Sequence, residues 1–435
     1  MRLGSEDTAW LHMDDAENPM VVSSLVELGG TLDVARLDAI VRERGLPPRL
    51  RSRVMEGAFG PPRLAIDESF DLERHLVHVD IAPGEEALRA FIGREVSHSL
   101  PRDRPLWRTV VVDRPGAPTA ILFRVHHALA DGFALLGQLL SICDERDAAP
   151  VPGTHGTRGA GLARQTAAAA RLVALRPDPR TTLKHELGLE KNVAWSRPIA
   201  LDDVKRVARA TGTTVNDVLV AAVAGAVGRH LRDEGEAARE VRAMVPVNLR
   251  REPPSTLGNR FGLVILALPV GAMDPRERLR EVKRRMDRLK STPEALVARG
   301  LLDVLGWLPL PLERLGASFF GKKASLVLTN VPGPRAVLHL GGVPIERIVF
   351  WVPQAARLGL GVSIFSYAGA VTMGVIADAN VVKDPARIID ALHDEVDALQ
   401  TRARSSAQAP IGARGETETT APPRKNTSDA SARPL

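Results

Sequence analysis

Residues 124–132 read Arg-Val-His-His-Ala-Leu-Ala-Asp-Gly. Two adjacent imidazoles, His126 and His127, are followed within a few residues by a carboxylate, Asp131, and a glycine, Gly132. An imidazole with a pKa of about 6.5 accepts a proton at neutral pH, and a positioned base of this kind is worth roughly 10²–10⁴-fold in rate. His127 is the candidate proton acceptor. The carboxylate four residues on can close the loop or fix the shape of the site, and the glycine permits a tight turn into a helix. The competing reading has both histidines plugging a polar gap at a strand end. It leaves the register of the acid and the glycine unexplained, and chance supplies the whole pattern in about one such chain per thousand.

The neighbouring segments are those needed to display such a loop in a cleft. Thr119–Val125 is β-branched and apolar and predicts a buried strand, and Gly132–Cys143 predicts the helix that follows. Further on, Val204–Leu231 reads as two helices joined through Gly-Thr-Thr, with Thr213 or Thr214 as N-cap. Phe261–Val270, Ser325–Thr329, Gly361–Ser366 and Val371–Ala377 read as strands, the last two as a hairpin. Pro385–Ala403 carries Ile389, Leu392, Val396 and Leu399 on one helical stripe. The expected architecture is α/β, in two halves. Residues 1–143 form the first and 201–403 the second, with 144–200 as linker and crossover and 404–435 as a tail too poor in apolar residues to pack.

Other chemistries are harder to place. Gly316–Lys323 approaches a phosphate-binding loop, but Lys323 stands where a magnesium-binding hydroxyl belongs. His75 and His78 lack a third nearby ligand, and one cysteine, Cys143, excludes cysteine-based zinc or iron–sulfur sites and an intrachain disulfide, so no metal is expected. At 4% aromatic residues, a nucleic-acid protein built on stacking platforms is not expected. The first fifteen residues have no apolar core of a secretory signal, and no run reaches the roughly 18 apolar residues of a bilayer span. A cytoplasmic protein is the expectation.

The ordered set of short motifs resembles the bacterial wax ester synthase / diacylglycerol acyltransferase family, within the chloramphenicol-acetyltransferase-like superfamily that also holds the condensation domains of peptide synthetases. The residues that carry it are His126-His127-x-x-x-Asp131-Gly132, Pro105-Leu106-Trp107, Thr214–Leu219, Pro246–Arg250, Gly258–Gly262 and Thr329–Pro334. Asn18-Pro19-Met20 and Ser366–Gly369 extend it over about residues 4–402. The resemblance implies two similar halves of mixed sheet flanked by helices, with a tunnel between them, and transfer of a long-chain acyl group from acyl-CoA to diacylglycerol or a fatty alcohol. Acyl-CoA would be a substrate, with no cofactor. His127 would deprotonate the alcohol for direct attack on the thioester, and Asp131 would be mainly structural, paired with either Arg51 or Arg250. Asn216 and Asp217 match the family's Asn-Asp motif, although a helix cap explains them equally. Thr329, beside Asn330, stands in place of a more usual serine and would donate to the oxyanion. Two rivals stay open: a condensation-type acyltransferase with another alcohol, an amine or a carrier-bound acceptor, and a non-catalytic lipid-binding protein.

The net charge of +6 is concentrated. Arg276–Lys290 carries eight basic and three acidic residues, with Leu279, Val282, Met286 and Leu289 along one face. Such a helix either lies on an anionic membrane or lipid-droplet surface, here the inner face of the cell membrane, or packs on a core with its basic face solvated. The Leu301–Phe320 segment, with Trp307, Leu308, Leu310 and Leu312 around two prolines, is a candidate interfacial or tunnel-mouth element beside it.

Overall fold

The computed structural model describes residues 1–56, 62–145, 166, 170–248, 259, 261–290, 316 and 318–408. The first half contains α1 (Ser5–Met13), β1 (Val21–Leu28), α2 (Val34–Arg44), β2 (Ser52–Met55), β3 (Arg63–Ile66), β4 (Leu76–Asp80), α3 (Glu85–Val96), β5 (Trp107–Asp113), β6 (Ala120–His126) and α4 (Gly132–Ile142). The crossover adds β7 (Lys191–Trp195) and β8 (Ile199–Ala200). Next come α5 (Leu201–Thr211), α6 (Val215–Asp233), β9 (Glu240–Asn248), β10 (Phe261–Pro269), α7 (Pro275–Lys290) and β11 (Leu326–Pro332). The chain closes with β12 (His339–Leu340), β13 (Val343–Trp351), β14 (Leu360–Tyr367), β15 (Ala370–Asp378) and α8 (Ala386–Gln408).

Two mixed sheets result. The first runs β12-β13-β1-β6-β5-β4, parallel only at β4–β5. The second runs β10-β9-β11-β14-β15-β7, parallel at β9–β11 and β11–β14, with β8 also on β15. The expected boundaries need correction in two places. β13 belongs to the second half by sequence but pairs with β1 in the first sheet, Ser24 opposite Phe350. β7, expected as linker, is an edge strand of the second sheet. The halves are therefore interleaved, and Trp195 of β7 meets Trp351 of β13 edge to face, both ring systems buried.

Around the second sheet, α5 and α6 form as the Gly-Thr-Thr spacing predicts. Gly212 ends α5 at φ 64°, a left-handed position that glycine accepts without a Cβ penalty. Thr214, not Thr213, caps α6 in a reciprocal box with Asp217. No single helix among the described residues is long and apolar enough to cross a membrane; α5 and α6 reach that composition only as a pair bent by 98°. On α7, Leu279 and Val282 are buried and Met286 and Leu289 pack against the same core. The apolar stripe of the basic helix thus faces protein, and its outer surface is charge alone. On α8, Ile389, Leu392, Val396 and Leu399 are buried as expected, but the helix continues to Gln408, beyond the expected end at residue 403. The rest of the tail, most of the 144–161 linker and most of Leu301–Phe320 lie outside the described residues.

Candidate active site

β6 delivers the two histidines at its end, and they turn opposite ways in role. His126 is almost completely buried. Its Nδ1 accepts the Ala128 amide at 3.0 Å, which leaves the proton on Nε2, 3.7 Å from Asp14 Oδ1. Burial opposes ionisation of Asp14, but His126, the Met20 amide (2.7 Å) and Arg102 (3.2 Å) outweigh it and hold the carboxyl below its usual range. His126 is thus a brace for the loop.

His127 is 8% exposed, and its ring stacks on Trp10 of α1, centroids 4.0 Å apart and planes inclined by 13°. Burial pushes the imidazole down to about 4, while the nearby Asp131 carboxylate pulls in the opposite direction. The ring is neutral at pH 7 with its lone pair unprotonated; burial makes it a weaker base, and Asp131 offsets part of that by favouring the imidazolium. Asp131 itself caps α4, accepting the Ala134 amide at 2.9 Å.

The backbone of this loop is held from three directions. The His127 amide donates to Met20 O at 2.8 Å. The His127 carbonyl accepts from Asn259 Nδ2 at 2.7 Å, and the Ala128 carbonyl from Arg49 Nη2 at 2.7 Å. Asp7 of α1 ties the two donors together, accepting from Asn259 Nδ2 at 2.8 Å and forming a close ion pair with Arg49. Asn259 comes from the second half of the sequence, so the loop geometry depends on the halves being docked.

Gly132 corrects an expectation. Its φ is not positive, and a Cβ built there meets nothing within 4 Å, so the backbone turn does not require glycine. The missing side chain instead keeps space open: Gly132 lines an apolar cavity of about 120 Å³. The cavity floor is one face of the first sheet, in register rows. Val22, Val125 and Trp107 form the row nearest His126; Ser24, Phe123 and Thr109 form the next. Its roof is α4, from Gly132 to Ile142, about 15 Å of helix at 1.5 Å per residue. Val331 and Phe365 of the second sheet also line it.

The second-half candidates gather on β11 and the start of α6. Asn330 Nδ2 donates to Asn216 Oδ1 at 2.7 Å, tying α6 to the strand that carries Val331. Asp217 is fully buried in the capping box and belongs to the helix end. Thr329 is two residues from Val331 and so shares the cavity-side face of β11. Of the two arginines proposed to pair with Asp131, Arg51 is exposed, with its guanidinium over Phe70 at 5.9 Å, and forms no ion pair with Asp131; Arg250 lies outside the described residues. Asp7, Trp10, Asp14, Arg49 and Asn259 escaped the sequence reading as site residues. The one signal was Asn259, inside the Gly258–Gly262 motif.

The rejected motifs are accounted for. Lys323 is buried, donates to Leu172 O and Val173 O at 2.7 and 2.6 Å, and lies 4.0 Å from the Phe319 ring, so its ammonium is not available to a phosphate. His75 is buried against Trp107, while His78 faces out with Asp80 beside the half-buried Asp113, three ligand atoms within 4.8 Å of one another, which corrects the expectation that no further ligand lies near His78.

The chain matches the family model of the wax ester synthase/diacylglycerol acyltransferase catalytic domain over residues 3–174 and that of the WS/DGAT C-terminal domain over 257–400. A probable diacylglycerol O-acyltransferase of Mycobacterium tuberculosis is 30% identical over 390 residues, covering 81% of this chain and 83% of its own. Among solved structures, a wax ester synthase/diacylglycerol acyltransferase from Marinobacter aquaeolei superposes with a TM-score of 0.72 at 24% identity, covering 93% of this chain and 100% of that one. The first condensation domain of the calcium-dependent antibiotic synthetase gives 0.61 at 19%, covering 93% and 96%. The two interleaved α/β halves, the His-His-x-x-x-Asp-Gly loop between strand and helix, and these matches together place the chain in the wax ester synthase/diacylglycerol acyltransferase family.

Proposed function

We propose that this acyltransferase moves a long-chain acyl group from acyl-CoA to the hydroxyl of diacylglycerol or a long-chain alcohol, with His127 as general base and no cofactor. The observation that carries this reading is the position of the His127 loop. Val125 and Gly132, on either side of it, both line the apolar cavity, so a base and a binding site for an alkyl chain share one boundary. His127 takes the proton of the acceptor hydroxyl as its oxygen attacks the thioester carbonyl carbon. The tetrahedral oxyanion collapses with cleavage of the carbon–sulfur bond, and the departing CoA thiolate takes the proton from the imidazolium. No acyl-enzyme forms. Thr329, on the cavity-side face of β11, donates its hydroxyl to the oxyanion, an interaction of the kind worth about 10²–10³-fold. Asp131 holds the start of α4 and favours the imidazolium.

Diacylglycerol resides in lipid, so the enzyme works at an anionic membrane or lipid-droplet surface from the cytoplasmic side. The apolar stripe of α7 is packed on protein, so contact with lipid runs through its exposed charge, Arg284 and Arg288 among it, and weakens with salt.

An acceptor panel with palmitoyl-CoA tests the reading. Free thiol should appear, matched by ester, when diacylglycerol or a long-chain alcohol is added, and not without acceptor. Thiol release driven by amines or carrier-bound acceptors instead would move the enzyme to the condensation-type class, and none with any acceptor would make it a lipid-binding protein.

A further inference from the structure

The cavity is not uniformly apolar. Its second row of floor residues places Ser24 and Thr109 on either side of Phe123, across the registers Ser24↔Phe123 and Thr109↔Phe123. Phe123 is three residues from His126, about 10 Å along the strand. Gln138 lines the roof, six residues into α4 from Gly132, about 9 Å along the helix. Strand and helix both leave the His127 loop, so the three polar side chains sit at one depth. Among the described residues neither hydroxyl has a side-chain hydrogen-bond partner, although Thr109 is more than nine-tenths buried. Gln138 donates through Nε2 to Ser141 Oγ at 3.0 Å, which leaves its carbonyl oxygen as an acceptor. Above and below this level the lining is Val, Leu, Ile, Phe and Trp.

A plain alkyl chain laid through the cavity would strip water from these groups and return no hydrogen bond, a loss for every polar atom covered. A hydroxyl on the chain at that depth would accept from Ser24 or Thr109 and donate to Gln138. Resting on the acyltransferase reading above, we infer that Ser24, Thr109 and Gln138 form a subsite for an oxygen-bearing carbon in the middle of a long aliphatic chain, so that hydroxylated chains are preferred substrates. The chain belongs to either the acyl donor or the alcohol acceptor, since both are long and aliphatic.

Paired substrates that differ by one hydroxyl test this with the purified full-length enzyme. One arm compares ricinoleoyl-CoA with oleoyl-CoA at a fixed alcohol; the other compares ricinoleyl alcohol with oleyl alcohol at a fixed acyl-CoA. The hydroxylated member is expected to have the higher kcat/KM by about 10-fold in one arm, which identifies the source of the chain. In the Ser24→Ala/Thr109→Val variant the ratio in that arm should fall to one or below, because oleoyl or oleyl turnover rises as the hydroxylated substrate loses its contacts. A wild-type ratio of one or less in both arms, or a ratio that the double variant leaves unchanged, would overturn the subsite. Displacement of cis-parinaric acid by ricinoleic against oleic acid reads the same preference without turnover, and equal displacement counts against it. Failure to release thiol from oleoyl-CoA with any acceptor is a different result, which overturns the acyltransferase reading itself.

Discussion

Replacing His127 with alanine is expected to lower kcat/KM for acyl transfer by about 10²–10⁴-fold, measured as acceptor-dependent thiol release. The loss should be in chemistry, because the residues that line the chain-binding cavity are untouched. Removing the ring also leaves a gap beside Trp10, so the comparison belongs well below the melting temperature of the variant. His126 supplies the contrast. Its ring is turned into the protein, with Nδ1 on the Ala128 amide, so asparagine at 126 keeps an acceptor and should cost far less than alanine at 127. Full activity in the His127→Ala variant would refute the proposed base.

The second large effect is expected far from the motif in sequence. Asn259→Ala removes the donor to the His127 carbonyl and the side-chain hydrogen bond to Asp7, while the backbone amide of residue 259, the Asp7–Arg49 pair and the Arg49 contact to Ala128 O remain. The loop then has two clamps where it had three, the Met20 and Arg49 contacts. A displacement of the base by an ångström or so costs on the order of 10²-fold, and the cost falls on kcat. KM for acyl-CoA should change little, and serine at 259, a shorter donor, should recover part of the rate. A fall in melting temperature with kcat intact would assign Asn259 to stability alone.

The motif was legible because its context is local: a β-branched run, a His-His-x-x-x-Asp-Gly turn and an apolar helix follow one another within about two dozen residues. The Gly-Thr-Thr turn and the β14–β15 hairpin were legible for the same reason, since capping and turn chemistry act over a few residues. What the sequence hid is non-local. β13 is not among the strands the sequence predicts, and nothing in Val343–Trp351 says that its partner is β1, more than 300 residues earlier. The apolar stripe of α7 suits a membrane surface or a core equally well, because periodicity reports one buried face and not what buries it. Asp7, Arg49 and Asn259 lie far apart along the chain and meet only once the halves dock. Gly132 was assigned to the wrong constraint: the motif suggested backbone freedom, whereas the open space in front of its Cα is what the cavity uses.

The central claim is that His127, buried and neutral, takes the proton of the acceptor hydroxyl, and the pH dependence of kcat/KM tests it most directly. A base must be unprotonated to act, and burial holds this imidazole down at about 4. The profile should therefore stay flat from neutral pH down to about pH 5 and fall only below that, as His127 becomes protonated. An acidic limb centred near the ordinary imidazole value of about 6.5 would contradict the account, because the base would then be a solvated group and not this one.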